Sequence, residues 1–394
     1  MHNDPMSLPA IESLLAKLVA IRSVNPALQG SLSHDSEQQT GVYVTQLLQQ
    51  YGVEVTLQEV FPGRHNVIGY APRGDFSDEK VILLSAHMDT YPASQDGDSE
   101  YEPCIKDGYL FGRGSADAKG SLAAMLSAFI STLNAPNRRE SYVVASVDEE
   151  YGLCGCRKLT SHHMRPHLAI TGEPTSLIPI YAQKGIVRSS IYIKSTVHHA
   201  AYPGPRNALF DTAHILFAIE ALNKELENSK SDLGLTPTTI TPTRIESDGD
   251  MNKTPSEVRI WFDARTLPGV SAAAILQRMS EWIRTRINNE IEFFIEAPFF
   301  DSPPNYCSTT DSLVAELFKN IEIVTGECKP DIFSYGSEAG VLSGIANASL
   351  VFGPGDAKYS HGPGECVAVQ EVVSAAHIYR KILLSPIPIT PNLA

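Results

Sequence analysis

Apolar positions follow two rhythms along the chain. In the first half, compact apolar runs alternate with helical spacing: VEVTLQEV at 53–60, VILLSAH at 81–87, the Ala/Leu/Met stretch after Gly120, SYVVASVDE at 141–149 and HLAITGE at 167–173. Strand-like runs alternating with helical patterns predict an α/β sheet with helices on both faces. The run Val81–Ser85 is apolar without alternation, as expected of a central strand buried on both sides. Polar residues just past such strands are site candidates, because ligands bind beyond the carboxyl edge of an open α/β sheet.

Beyond Lys184 the rhythm changes to strand, helix, strand, helix: IVRSSIYIKST at 186–196, helical spacing from Asn207 to about Glu227, PSEVRIWFDAR at 255–265, and a helix after Pro268. Val258, Ile260, Phe262 and Ala264 share one face of the third segment, while Arg259, Trp261, Asp263 and Arg265 share the other. That pattern predicts a small α+β unit with one open sheet face, a natural dimerisation surface. The α/β rhythm resumes with a helix at 313–324, a strand at 348–353 and a helix at 370–384. The expected organisation is one discontinuous α/β domain, 1–184 and 298–394, interrupted by an α+β insertion at 185–297.

Charge and termini narrow the function classes. Lys and Arg number 31 against 45 Asp and Glu, and the net charge of -14 argues against nucleic acid and anionic membranes as partners. No run reaches the roughly 20 apolar residues of a membrane helix. The N-terminal stretch spaces Ile11, Leu14, Leu15 and Leu18 as an amphipathic helix rather than a signal-peptide core, so no targeting segment and a cytoplasmic location are expected. Six thinly spread cysteines are expected to be free thiols, and Cys154-x-Cys156 lacks a second pair at zinc-finger spacing.

Candidate chemistry gathers at the strand ends. His87 and Asp89 lie two residues apart after a buried run, where one can bind a metal and the other orient the imidazole; alone, the pair reads more readily as a satisfied loop contact. Asp117 precedes a helical run, and on its own it reads as the cap of that helix. Asp148, Glu149 and Glu150 follow an apolar strand, and three adjacent carboxylates repel one another unless a cation or solvent neutralises them. Glu173 and His361 follow two further apolar runs. If the strands are parallel, all five places converge on one sheet edge. Two imidazoles with several carboxylates suit zinc, manganese or cobalt better than magnesium. No dinucleotide, phosphate-loop or serine-hydrolase signature is present.

These residues, in this order, resemble the two-zinc amidohydrolases and exopeptidases that include acetylornithine deacetylase, succinyl-diaminopimelate desuccinylase, aminoacylase and the glutamate-releasing carboxypeptidases. The resemblance rests on HMDT at 87–90, GRGSADAKG at 112–120, DEEYG at 148–152, GEPT at 172–175, HAAYP at 199–203, NKTP at 252–255, DAR at 263–265, and GPGD at 353–356 with His361 and Glu365. GEPTSL, Lys184-Gly185, YGSEAG at 335–340 and FGPGD are most similar to the acetylornithine deacetylase branch. It implies a zinc-peptidase-like catalytic domain with a mixed sheet, interrupted by a ferredoxin-like lid and dimerisation domain. It also implies two divalent cations, zinc first and cobalt or manganese next, one held by His87 and Glu173, the other by Glu150 and His361, with Asp117 bridging. Asp89 would orient His87, Glu149 would be the general base, and His199 would stabilise the oxyanion, commonly from the partner subunit of a homodimer.

Asn252 and Arg265 would hold the substrate carboxylate, although Arg265 reads equally as a structural partner of Asp263. The implied activity is hydrolysis of a small N-acyl amino acid, as in arginine biosynthesis. A dipeptidase, carboxypeptidase or desuccinylase is the alternative on the same chemistry, and a metal-free binding protein the alternative of another class. The resemblance departs at Ser195, where the family often has glycine, and at Gly362, Pro363 and Gly364, where it has an acidic stretch.

Overall fold

The computed structural model describes residues 4–28, 36–75, 77–94, 97–161, 163–229 and 231–386. The chain divides into two compact units, one of Met1–Tyr181, Cys307–Asp331 and Ser337–Ala394, the other of Ala182–Tyr306 and Ile332–Gly336.

A mixed sheet organises the first unit. Four parallel neighbours form its centre, in the order Glu140–Ser146, Val81–His87, Leu168–Thr171, Ala348–Val351. Arg64–Ala71 and then Glu54–Phe61 extend it antiparallel on one side, and Ile180–Gln183 joins on the other through Ile180 and Val351. Ile82, Leu83 and Leu84 are all fully buried, which is why that strand carries no alternation. The helix Gly120–Thr132 is buried at every position but Ser131 and packs against Val369–Leu383 and Leu8–Ala20. Because the four central strands run the same way, their carboxyl ends share one edge. The segments leaving that edge carry His87 and Asp89, Asp148 to Glu150, Glu173, and His361.

The second unit has the strand and helix order βαββαβ. Its strands are Gly185–Lys194, Thr239–Ser247, Glu257–Thr266 and Glu292–Ile295, and its helices Ala208–Leu226 and Ala272–Arg284. In space the first strand lies between the third and fourth and the second is at the edge, all antiparallel, which is the ferredoxin-like arrangement. Val258, Ile260, Phe262 and Ala264 are buried with Ile215, Ile219, Ile275 and Met279 of the two helices. On the other face Arg259 lies over the rings of Trp261 and Tyr192, at 3.8 and 4.8 Å from their centroids. The segment expected as an insertion, 185–297, falls inside this unit, which also takes in Phe300–Ser302 through pairing with Arg188, Val187 and Ile186.

Two kinds of element escaped the hydrophobic pattern. Thr239–Ser247 is exposed at every position but Ile240, and its register shifts between Pro242 and Arg244, so it shows neither a clean alternation nor an uninterrupted ladder. The helix Ser36–Gln50 is rich in Gln and Thr and offers little apolar contrast. Among the described residues no helix is long and apolar enough to cross a membrane, and all six cysteines are free.

The difference in burial gives a direct check on this core. Phe129 is fully buried in the central helix and Leu57 is 53% exposed. Phe129→Ala is expected to destabilise the protein by about 3–5 kcal/mol, and Leu57→Ala to change stability by no more than about 0.5 kcal/mol. Denaturant titration of the two variants measures both, and equal losses would contradict the packing described.

Candidate metal centre

The strand Val81–His87 delivers the His87 ring to the buried edge of the sheet. Its Nδ1 lies 2.8 Å from the carbonyl oxygen of Asp89, a contact that places the ring proton on Nδ1. The lone pair of Nε2 then faces Asp117 Oδ1 at 3.1 Å and Glu173 Oε2 at 4.0 Å. A lone pair opposed to two carboxylates is repulsive unless a proton or a cation stands between them.

Asp117 occupies the tight turn Ser115–Lys119. Gly114 enters that turn at φ 82°, and a Cβ there would come within 2.6 Å of the Thr90 methyl, so glycine is required on both counts. The helix that follows starts without a side-chain cap, so the capping role open to Asp117 in the sequence is not one it performs. Its second oxygen, Oδ2, lies 3.3 Å from His361 Nε2, which is itself 3.1 Å from Glu150 Oε2. Tyr91 stacks on the His361 ring at 4.5 Å and 16° and fixes its plane.

Two donor groups therefore share Asp117: His87, Asp117 and Glu173, and Asp117, Glu150 and His361. Within each, one ligand atom per residue lies within 4.8 Å of the others. Glu150 Oε1 and Glu173 Oε1 are buried with no hydrogen-bond partner. Buried carboxylate oxygens without donors are costly, and a cation is the partner this donor set of imidazoles and carboxylates accepts.

Asp89 serves both sides of the centre. Its carbonyl orients His87, while its carboxylate accepts the backbone N–H of Glu149 at 3.1 Å and of Glu150 at 3.0 Å. The same carboxylate is 3.6 Å from His87 Nδ1, too far for a hydrogen bond. Asn25, which pattern reasoning did not single out, donates to Asp89 Oδ2 at 2.8 Å and to Asp148 Oδ1 at 3.1 Å. Arg64 joins Asp148 at 3.2 Å and pairs with the buried Glu37, whose Oε1 accepts the Asp148 N–H at 3.0 Å. Glu338 is fully buried and accepts from the Ser85 hydroxyl, two residues before His87, at 3.3 Å. Of Asn25, Glu37, Arg64 and Glu338, only Glu338 stood within a quoted motif.

The electrostatics follow the geometry. Burial pushes the carboxyls of Glu149 and Glu173 well above the ordinary carboxylate range, and neighbouring acids add to it. For Asp117 burial acts in the same direction, but hydrogen bonds to His361 and His87 outweigh it and hold that carboxyl far below its usual value. His361 is pushed up to about 10 by Asp117 and Glu150.

In the second unit, His199 and Asn252 stand on neighbouring exposed turns: His199 bridges to Lys253, and the Ala200 N–H donates to the Asn252 carbonyl at 2.9 Å. Arg265 donates to Asp263 through Nε at 2.6 Å and Nη2 at 3.3 Å, so the structural pairing read from the sequence is made. Arg188 donates to the same carboxylate at 3.0 Å.

Comparison with known proteins agrees with this architecture. Residues 83–385 match Peptidase family M20/M25/M40. An acetylornithine deacetylase of Myxococcus xanthus is 29% identical over 305 residues, 76% of this chain and 78% of that protein. Another, of Aliivibrio salmonicida, is 26% identical over 390 residues, 96% and 99% of the two chains. Among solved structures, the aminopeptidase PepT of Bacillus cereus superposes with a TM-score of 0.76 at 19% identity, covering 96% of this chain and 98% of that one. The YXEP protein of Bacillus subtilis, described as a dinuclear metal binding peptidase, gives 0.71 at 12% identity, covering 95% and 97%. With a family match spanning most of its length and two donor groups built on one carboxylate, the chain belongs to peptidase family M20/M25/M40 and is a metallo-hydrolase of the amidohydrolase and peptidase type.

Proposed function

We propose that the chain hydrolyses the amide bond of a small N-acyl amino acid, acetylornithine-like in character, using two divalent cations, zinc before cobalt or manganese. The observation that carries this reading is Asp117, which turns one carboxylate oxygen to each of two imidazole and carboxylate groups. One cation is assigned to His87 and Glu173, the other to Glu150 and His361, with Asp117 shared. Bound there, the pair supplies an acidified water and polarises the scissile carbonyl. Glu149 takes the proton of the attacking water on its carboxylate and delivers it to the departing amine nitrogen. Asp89 holds Glu149 and Glu150 in place through their backbone N–H groups. His199 donates to the developing oxyanion, and Asn252 and Arg265 hold the substrate carboxylate.

Relatives named acetylornithine deacetylase that align over nearly the whole chain support the N-acyl amino acid reading. The peptidases among the structural relatives make a dipeptide the second candidate substrate. Turnover of N-acetyl, N-succinyl and N-formyl amino acids beside simple dipeptides decides between them, and activity on dipeptides alone would replace the first reading. We place the protein in the cytoplasm, as a homodimer assembled through its second unit. The exposed Phe210 and Phe217 on one helix and the strand Thr239–Ser247, at the edge of its sheet among the described residues, support such pairing.

Three outcomes are expected. Glu149→Gln keeps both cations while lowering turnover by about 10²–10⁴-fold, the contribution of a general base, whereas Glu150→Gln also loses metal; equal metal content in the two variants would contradict this division. The second outcome concerns pH. His361 keeps its proton up to about pH 10 in the cation-free protein, and a cation must displace it. Apparent zinc affinity should therefore rise with pH, by roughly tenfold per unit for each proton displaced. Calorimetry in buffers of different ionisation enthalpy counts those protons, and a flat affinity between about pH 6 and pH 8 would argue against His361 as a ligand. Third, mixing inactive His199→Ala with inactive Glu149→Gln under subunit exchange should restore activity, because one site of the mixed dimer carries neither defect. No recovery after verified exchange would remove His199 from the partner's site.

A further inference from the structure

The two donor groups differ in how they are anchored. His87 is the last residue of a central strand and Glu173 stands two residues past another, so their group inherits the rigidity of the sheet. Asp117, Glu150 and His361 all stand on turns or loops, and something other than a strand must hold them in register.

Arg113 and Glu365 make that connection. Glu365 Oε1 accepts the backbone N–H groups of Ala116 and Asp117, both at 3.1 Å, and its Oε2 accepts from Arg113 Nη1 at 2.9 Å. Arg113 Nη2 donates to the carbonyl of Gly362, the neighbour of His361, at 3.1 Å, and to Glu100 Oε2 at 2.7 Å. The main chain repeats the link, with Gly112 N donating to the Glu365 carbonyl at 2.9 Å. Arg113 is 1% exposed and Glu365 2%. A guanidinium can serve the carboxylate and the carbonyl at once because its donors fan out in one plane, which an ammonium cannot copy.

We propose that Arg113 and Glu365 are positioning residues that set the cation affinity of the Asp117, Glu150 and His361 group, and affect the His87 and Glu173 side of the centre less, since only the shared Asp117 links them to it. This rests on reading the two groups as cation sites. Neither residue contacts the reacting atoms; both act through the turn of Asp117 and the loop of His361. Side chains that orient metal ligands in this way are worth about 10–100-fold in affinity.

The test titrates cation-free wild-type protein, Arg113→Lys and Glu365→Gln with zinc against a competing chelator, while thermal unfolding of the cation-free forms reports folding. Wild type is expected to bind two cations. In each variant the constant of the His361 side should weaken by about 10–100-fold and the other, which shares only Asp117, by distinctly less. His361→Ala identifies the weakened site: adding Arg113→Lys to it should change the one remaining constant by much less than the single variant changes the weakened one, since both changes act mainly on the same cation. Arg113→Ala supplies a second arm. Arg113, Glu100 and Glu365 line a cleft of about 210 Å³, so free guanidinium should restore the lost affinity where methylammonium does not. If Arg113→Lys fails to fold, Glu365→Gln, which keeps shape and an acceptor, carries the comparison. Two unchanged constants, or two constants weakened alike, overturn the proposal. A wild-type protein that binds no zinc sinks the cation reading itself, an outcome separate from any behaviour of the variants.

Discussion

Asp117 turns one carboxylate oxygen to His87 and the other to His361, and the rest of the first unit answers to that contact. Glu149, Glu150, Glu173 and Glu338 stand around it, each with its proton affinity raised by burial. Like charges gathered in a buried place cost free energy that a sheet edge alone does not offset. The two imidazoles offset part of it, and the two cations proposed for this centre would offset more; both need side chains brought in from several directions. No single segment can supply these. Four parallel strands ending side by side can, because each contributes the first residues of a different loop.

That convergence carries a backbone cost. Asp148 sits at φ 66° and His361 at φ 63°, in the left-handed region that non-glycine residues avoid at about 1–3 kcal/mol each. Both are held by contacts that leave little freedom. Asp148 has its N–H on Glu37 and its carboxylate on Arg64 and Asn25. His361 has Tyr91 against its ring and its neighbour Gly362 on Arg113. The buried arginines touch the neighbours of the candidate site residues, Arg64 the Asp148 carboxylate and Arg113 the Gly362 carbonyl, so their contribution is to geometry.

This division also explains what could be read in the sequence. His87, Asp117, Glu150, Glu173 and His361 could be picked out because each follows an apolar run or precedes a helix, and the parallel order of the strands turns those separate signals into one place. The open face bearing Arg259, Trp261, Asp263 and Arg265 was legible for the same reason, a strict period of two. Asn25, Glu37 and Arg64 were not. Each is a single polar residue in a segment without apolar contrast, and its partner lies far away along the chain. Glu365 was visible as part of a motif, but its hydrogen bonds to the Asp117 turn could be seen only once the chain had folded.

The substrate is the least legible part for a physical reason. A hydrolytic centre of this kind needs a fixed set of ligands and a base, and relatives named as deacetylases, aminopeptidases and dinuclear metal binding peptidases share the fold that presents them. Discrimination among acyl groups must then come from residues outside the ligand set. His199 and Asn252, proposed to meet the oxyanion and the substrate carboxylate, lie on exposed turns whose conformation is set by a few local contacts rather than by the sheet. Exposed turns tolerate substitution that the buried edge does not, because little packing depends on them. The candidate metal ligands therefore follow buried strands that hydrophobic patterning reveals, whereas His199 and Asn252 stand on turns that it does not.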